Sequence, residues 1–341
     1  MASYLLRRLA MLPLVALGVT FLLFALIQLL SPEMRAALYV RDPRQLAALE
    51  SVIETYRLRD PVPVQYWIWL QQAVRGDLGY SETAKLPVSQ AVRAFFPATF
   101  ELALTAFIPV VLLGTWVGTR AAVHKDRLTD HLSRLMAITG YSLPSFVLGL
   151  LLLMVFYGQF GLFPPGRLSL DASLFVNSEG FRSYTGLLLL DSLLNGQLWI
   201  FWDVLKHLVL PATTLAYTNL ALLIRITRSS MLEQIPKDYV RTARAKGLGE
   251  SAVINKHVLK NALIPVVTSS SLLFVGLLGG VVITETIFNY PGIGRWGVTA
   301  AQQLDIAAIM GFALLTSGLF VVGNLAADLL YALVDPRIRL K

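Results

Sequence analysis

The sequence has no cysteine and few charged residues, and both absences restrict what the chain can be. Without cysteine there is no disulfide framework, no thiolate zinc site and no iron–sulfur cluster. Charged residues make up 15% of the 341 residues, whereas a soluble domain usually has about 25%. Hydrophobic residues make up 55%, and the mean hydropathy is +0.63. This balance is compatible with a soluble protein that has a large buried core and with a membrane protein. The length of each apolar run distinguishes the two.

The sequence also lacks the short motifs of common catalytic sites. It has no G-x-x-x-x-G-K-[ST] loop, so we expect the chain itself not to bind and hydrolyse ATP. It has no H-E-x-x-H zinc motif and no G-x-S-x-G nucleophile elbow. Its four histidines lie apart or at the ends of apolar runs. We therefore predict a non-catalytic chain with no metal and no directly bound cofactor.

Six apolar runs are long enough for a bilayer, which needs about 20 residues of helix. The first is longer than the apolar core of a signal peptide, so we interpret it as an uncleaved anchor. The predicted spans are residues 9–30, 99–121, 132–160, 204–226, 262–284 and 305–333. The predicted fold class is therefore an all-α polytopic membrane protein with six transmembrane helices.

Lysine and arginine are distributed unevenly between the two sides of these spans. If residues 1–8 are inside, the inner side carries 17 Lys and Arg against 6 Asp and Glu, and the outer side 12 against 14. Because cytoplasmic loops carry the excess of positive charge, both termini are predicted to be cytoplasmic. The same distribution argues against nucleic-acid binding. The predicted cytoplasmic segments between and beyond the spans include 227–261 and 334–341, and the predicted extracytoplasmic segments are 31–98, 161–203 and 285–304.

The first extracytoplasmic segment contains two predicted helices, at residues 44–56 and 63–75. The second carries Tyr66, Trp67 and Trp69, whose amphipathic rings suit a membrane–water interface. We interpret it as a helix lying on the outer leaflet.

The segment between the fourth and fifth predicted spans has helix-like stretches on both sides of a Gly247-Leu248-Gly249 break. In the first stretch, Asp238 at the start and Arg244 near the end complement the helix dipole. Val240, Ala243 and Gly247 recur at helical spacing and form a small-residue face, which we interpret as a docking face that a partner approaches closely. The alternative is a basic loop lying on anionic lipid.

At this segment the sequence resembles a known family. Asp238-Tyr-Val-Arg-Thr-Ala-Arg-Ala-Lys-Gly-Leu248, followed by His257-Val-Leu-Lys-Asn261, is similar to the EAA loop of dipeptide and oligopeptide (and nickel) ABC-importer permeases. Arg241 stands where the general EAA pattern has glutamate. The other matching landmarks are Arg75–Ser81, Phe96–Ala103, Ser142–Phe146, Leu208–Ala212, Glu285–Arg295, Asn324–Tyr331 and Asp335–Arg337.

The resemblance implies a type I ABC-importer permease with a cytoplasmic coupling helix and an extracytoplasmic helical loop, in a bacterial or archaeal cytoplasmic membrane. The short N-terminus resembles the first ("B"-type) permease. The implied partners are a C-type permease, an extracytoplasmic solute-binding protein, and two ATPase subunits that hold the ATP and magnesium. The implied coupling residues are Asp238, Tyr239, Arg241, Thr242, Ala243, Arg244, Ala245, Lys246, Gly247, His257 and Asn261.

The translocation path is expected to be lined by polar or small residues, since spans that are nearly free of charged residues cannot bind a charged peptide by ion pairs. Each candidate has an alternative role in helix packing, where small and hydroxyl residues are common. A permease of the same architecture for nickel, a glycoside or another small solute stays open, as does a self-contained secondary transporter. The candidate path residues are Thr139, Ser142, Ser145, Thr213, Thr214, Tyr217, Asn219, Ser269, Ser270 and Ser271.

Overall fold

The computed structural model describes residues 2–37, 49–279 and 281–334, and within them the fold is helical apart from one two-stranded hairpin. The N-terminal part comprises α1 Ala2–Ile27, α2 Pro32–Ala37, α3 Leu49–Thr55, α4 Val62–Val74, β1 Tyr80–Ser81, β2 Leu86–Pro87, α5 Val88–Val123, α6 Leu128–Ser142 and α7 Ser145–Leu152, which continues as a π-helix over Leu153–Gln159. The remainder comprises α8 Leu170–Val176, α9 Leu188–Leu194, α10 Leu198–Gln234, α11 Asp238–Ala245, α12 Glu250–Ala252, a π-helix over Val253–Val258, α13 Leu259–Leu278, α14 Val282–Ile287, α15 Ile293–Gln302 and α16 Ile306–Val334.

Four helices are long and apolar enough to cross a membrane: α5, α10, the continuous helix Glu250–Leu278, and α16 over Ile306–Leu329. The pair α6 and α7 passes the same test if it forms one bent span. The apolar part of α1, Pro13–Ile27, is shorter. The predicted all-α membrane class is confirmed, and the count of six spans stays a prediction.

The predicted third span, 132–160, is not one straight helix. Its two halves, α6 and α7, meet at an angle of 100°. The cause is Pro144, which has no N–H to donate and which disfavours a helical conformation at the residue before it. Leu143 is accordingly extended, with φ −88° and ψ 117°. The chain therefore turns sharply at Ser142 and starts a new helix at Ser145.

The fifth predicted span also differs from the observed helix. The prediction ended the cytoplasmic segment, with its second helix-like stretch, at residue 261 and began a separate span at 262–284. In the structure the two are joined in one helix, Glu250–Leu278. A separate short helix, α14, follows it. The polar segment before residue 262 thus continues into the span as helix, through a π-helical stretch over Val253–Val258.

The helices α5 and α10 pack closely against each other. A Cβ atom added to Gly118 would lie 2.6 Å from the Cβ of Thr227, and one added to Gly114 would lie 2.9 Å from the Cβ of Leu223. Glycine is needed at both positions because the two backbones approach so closely.

The helix α4 packs against α1. The hydroxyl of Tyr66 lies 2.9 Å from the hydroxyl of Thr20 and donates to the backbone carbonyl of Leu17. Its ring contacts Phe21 edge-on. The predicted aromatic helix at 63–75 is therefore present, with Tyr66 turned towards α1. Of the other predicted helix, residues 49–55 are helical and 44–48 lie outside the described residues.

Two of the family landmarks meet at the opposite end of the bundle from α11. The carboxylate of Glu285, which is fully buried, accepts a hydrogen bond from the Thr99 hydroxyl at 2.6 Å and one from the Arg295 backbone N–H at 2.7 Å. The Thr99 hydroxyl in turn accepts from the backbone N–H of Ile293. Gly292 leaves room for this carboxylate, because a Cβ there would lie 2.2 Å from the Cδ of Glu285.

Candidate functional site

The helix α11 has the ends that its sequence predicts. Asp238 lies in its first turn and Arg244 in its last turn. Gly247 follows in the left-handed region, with φ +76°. The N–H of Gly247 donates to the carbonyl of Arg244, and the N–H of Leu248 donates to the carbonyl of Ala243. This pair of bonds is the Schellman arrangement that stops a helix, and it turns the chain towards Glu250.

The small-residue face of α11 lies against its own chain. Val240 is fully buried and Ala243 is 5% exposed. They pack in a cluster with Ala122 at the end of α5, Met231 at the end of α10, and Val253 at the start of the helix that leads into α13. The interpretation of this face as one that a partner approaches was therefore wrong for Val240 and Ala243, whereas Gly247 is exposed. The reason is that the face is apolar, and the ends of three long helices cover it.

The opposite face of α11 carries the polar side chains. Tyr239 donates a hydrogen bond to Gln234, and Arg241 pairs with Asp238 one turn earlier. The outward-facing predicted coupling residues, all exposed, are Asp238, Tyr239, Arg241, Thr242, Arg244, Ala245, Lys246 and Gly247. Apart from Ala245 and Gly247, these exposed residues are polar or charged, and such a surface is suited to a polar partner.

An ion pair closes the turn after α11. Arg244 donates to both oxygens of Glu250, at 3.0 Å from Nε and 2.7 Å from Nη2. Glu250 raises the pKa of Arg244 above its usual value through these hydrogen bonds, so both groups stay charged. Both side chains are largely exposed, and such a pair contributes about 0–1 kcal/mol. Its role is therefore to orient α11 rather than to stabilise the whole fold.

The other two predicted coupling residues lie on the helix that leads into α13. His257 is half-buried, and Asn261 is exposed and donates to the His257 carbonyl at 3.0 Å. They lie one turn apart, outside α11. The structure does not bring either into hydrogen-bond contact with the exposed face of α11.

A buried ion pair joins α6 to α10 near this surface. Asp130 is fully buried and accepts from the Nε and Nη2 atoms of Arg228 at 2.5 and 2.9 Å. Arg134 approaches the same carboxylate at 3.4 Å. Sequence reasoning treated these residues only as part of the positive charge of the inner side. The pairing was missed because the partners are 98 positions apart in the chain, and only the packing of α6 on α10 brings them together.

The predicted path residues divide into two groups. Thr139 and Tyr217 meet between α6 and α10, with their hydroxyl oxygens 2.7 Å apart, and Ser142 lines a groove beside them. Others bond to their own helix: Asn219 donates to the Leu215 carbonyl at 2.7 Å. Thr214 and Ser271 also donate to carbonyls of their own helices. Ser270 is buried, and its hydroxyl has no partner among the described residues. The remaining candidates differ only in exposure: Thr213 is exposed, and Ser145 and Ser269 are half-buried.

The sequence relatives decide the family. Residues 94–340 match the family described as "Binding-protein-dependent transport system inner membrane component". The chain belongs to this family. It is therefore a multi-pass membrane component of a binding-protein-dependent transport system.

Curated relatives match this inner membrane component along nearly its whole length. The probable D,D-dipeptide transport system permease protein DdpB of Escherichia coli is 43% identical over 95% of this chain and 94% of its own. The dipeptide transport system permease protein DppB of Escherichia coli is 38% identical over 100% of both chains. Among solved structures, a chain of the inward-facing MetNI methionine ABC transporter is 15% identical, with a TM-score of 0.49, over 72% of this chain and 95% of that one.

Proposed function

We propose that this chain is the B-type permease subunit of an ABC importer for di- or oligopeptides. It forms half of the translocation path and couples that path to ATP hydrolysis by separate ATPase subunits. Two observations carry the proposal together. The chain is similar to dipeptide permeases along nearly its whole length. In addition, α11 is packed by one face against the ends of the long helices, as a coupling helix has to be.

The attachment of α11 supports its role as the coupling helix. Its buried face is packed against the ends of α5, α10 and the α13 helix at once. Since packed interiors transmit displacement rather than absorb it, a movement of α11 has to move the ends of three long helices. Its exposed polar face is then the part that the ATPase subunit contacts.

Coupling of this kind requires two states. The ATPase dimer closes when it binds ATP and opens after hydrolysis, and α11 makes different contacts in the two forms. The difference in binding free energy between those contacts shifts the permease between its conformations. ATP and magnesium bind to the ATPase subunits, and this chain is non-catalytic.

The same proposal fixes the remaining partners and the orientation. A C-type permease completes the path, a solute-binding protein delivers peptide from outside, and α11 and both termini face the cytoplasm. Because the chain has no cysteine, single-cysteine variants test the orientation directly. An impermeant maleimide applied to intact cells is expected to label Arg182→Cys and not Lys246→Cys.

Reversing the charge of the exposed α11 face tests the coupling role. The double variant Arg241→Glu with Lys246→Glu is expected to lower peptide-stimulated ATPase activity and ATP-driven peptide uptake in reconstituted vesicles by about tenfold or more, the effect of 1.4 kcal/mol of lost docking free energy. Membrane insertion is expected to be unchanged. Arg120→Gln, which removes an exposed charge at the end of α5, is the control. Normal stimulated ATPase activity in the double variant would contradict the proposal.

A further inference from the structure

A small groove lies between the end of α6 and α10. Its volume is about 190 Å³, and its lining includes Tyr141, Ser142 and Arg225 together with apolar side chains such as Ile138. Close packing borders it, because a Cβ on Gly140 would lie 2.8 Å from the Cβ of Ala221. The groove is therefore a defined part of the contact between the two helices.

Arg225 supplies a cation to this groove and has no acidic partner among the described residues. Its guanidinium carbon lies 5.5 Å from the centre of the Tyr141 ring, and its side chain is exposed. One turn further along α10, Arg228 uses its guanidinium to hold both oxygens of Asp130. The two arginines thus differ: one charge is neutralised within the fold, and the other is left open.

Two hydroxyls in the groove are open as well. Neither the Tyr141 phenol nor the Ser142 hydroxyl makes a hydrogen bond to another residue in the part of the chain that the structure describes. A cation and two hydrogen-bonding hydroxyls therefore line one groove without protein partners there. This set of groups matches an anionic oxygen ligand.

The direction of the Arg225 side chain is consistent with a site inside the transporter. Side chains on a helix lean towards its N-terminus, so Arg225 leans away from the α11 end of the bundle. Ionisable side chains within membrane helices face a water-filled cavity or a partner.

We infer that this groove binds the carboxylate of a transported peptide, with Arg225 as the cation and the hydroxyls of Tyr141 and Ser142 as further donors. A guanidinium binds a carboxylate through two parallel hydrogen bonds, and the apolar wall at Ile138 contacts the adjoining side chain. The C-terminal carboxylate is common to linear peptides of any sequence, so one such site serves many of them. The inference rests on the proposed peptide transport, and it departs from the expectation that the path offers a charged peptide no ion pair.

The charge of the groove is tested without any transport. In the assembled importer, Ser142→Cys provides a single thiol in this cysteine-free chain, and mass spectrometry of the chain follows its reaction with anionic and cationic methanethiosulfonate reagents. Arg225→Gln is expected to lower the ratio of anionic to cationic rates about tenfold, as loss of a focused charge does. Arg120→Gln, whose guanidinium lies 5.4 Å from the Trp116 ring, is the matched control and is expected to leave the ratio unchanged. An unchanged ratio in Arg225→Gln, or no reaction with either reagent, would overturn the inference.

The ligand is tested by uptake into phosphatidylcholine vesicles that contain the complete importer, with the binding protein saturated by radiolabelled dialanine or dialanine amide. Arg225→Gln is expected to lower the uptake rate of dialanine about tenfold, because one charge-assisted contact is lost. The uptake rate of dialanine amide is expected to be unchanged. Equal slowing of both peptides would show a structural role and overturn the inference. If the unmodified importer takes up neither peptide, the proposed function fails, while the labelling ratio still reports on the charge of the groove.

Vesicle composition separates a peptide carboxylate from a lipid phosphate. The selective slowing of dialanine is expected in neutral phosphatidylcholine and in vesicles that also contain phosphatidylglycerol. An effect confined to the anionic vesicles would show that Arg225 binds a lipid headgroup and would overturn the inference.

Discussion

Arg228 on α10 holds Asp130 on α6 through two hydrogen bonds, and the Asp130 carboxylate is fully buried. The pair connects α6, which borders the groove, to α10, which borders both the groove and the cluster beneath α11.

Loss of the Asp130 charge is expected to destabilise the chain. In Asp130→Asn one of the two acceptors becomes an NH₂ group that faces an N–H of Arg228. The free energy of unfolding is expected to fall by about 2 kcal/mol, because hydrogen bonds to charged groups contribute about 1.5–3 kcal/mol each. The thermal denaturation midpoint of the purified importer measures it. Arg134→Gln is the control, since Arg134 is 44% exposed and lies 3.4 Å from the same carboxylate. Equal shifts in the two variants would contradict this account.

A charge on the buried face of α11 is expected to detach the helix from the spans. Ala243→Glu places a carboxylate among Met231, Val253 and their neighbours, where it has no partner. Trypsin is then expected to cut faster after Arg241 and Arg244, while membrane insertion is unchanged. The matched variant is Ala245→Glu, two residues on and exposed, which is expected to leave the cleavage rate near that of the parent chain. Similar protection in both variants would rule out the observed seating of α11.

The two glycines of the turn are expected to respond differently to alanine. Gly247 has φ +76° whereas Gly249 has φ −62°, and no atom lies within 4 Å of a Cβ built on either. Gly247→Ala is therefore expected to lower the free energy of unfolding by about 1 kcal/mol through backbone strain alone. Gly249 lies at the N-cap of α12 with an ordinary φ, and Gly249→Ala is expected to lower the free energy of unfolding less. Hydrogen exchange at the amides of residues 247 and 248 measures the difference. Faster exchange in Gly249→Ala than in Gly247→Ala would refute the assigned turn.

Gly292→Ala is expected to disrupt the landmark contact at the other end of the bundle. Its Cβ would lie 2.2 Å from the Cδ of Glu285, whose carboxylate is held by Thr99 and by the Arg295 backbone. Because the Glu285 carboxylate is held on two sides, the backbone at residue 292 has to move. The free energy of unfolding is expected to fall by about 3 kcal/mol or more. Gly276→Ala, where a Cβ meets nothing within 4 Å, is the control in the same denaturation assay. A normal midpoint for Gly292→Ala would show that the segment 285–295 packs differently.

The sequence by itself determined the class of the protein and its landmarks. Apolar runs predict membrane helices because hydrocarbon forces backbone groups to pair within the segment. The ends of α11 were predictable for a similar reason, since Asp238 and Gly247 act on the backbone within one turn of themselves. The family followed from ordered motifs along nearly the whole chain.

Tertiary structure alone decided which groups face one another. It turned Val240 and Ala243 inwards, paired Asp130 with Arg228, and left Arg225 open beside Tyr141. No local pattern distinguishes these two arginines, because they lie on one helix three residues apart and both read as inner-side charge. The packing of α6 on α10 determines which of them meets a carboxylate.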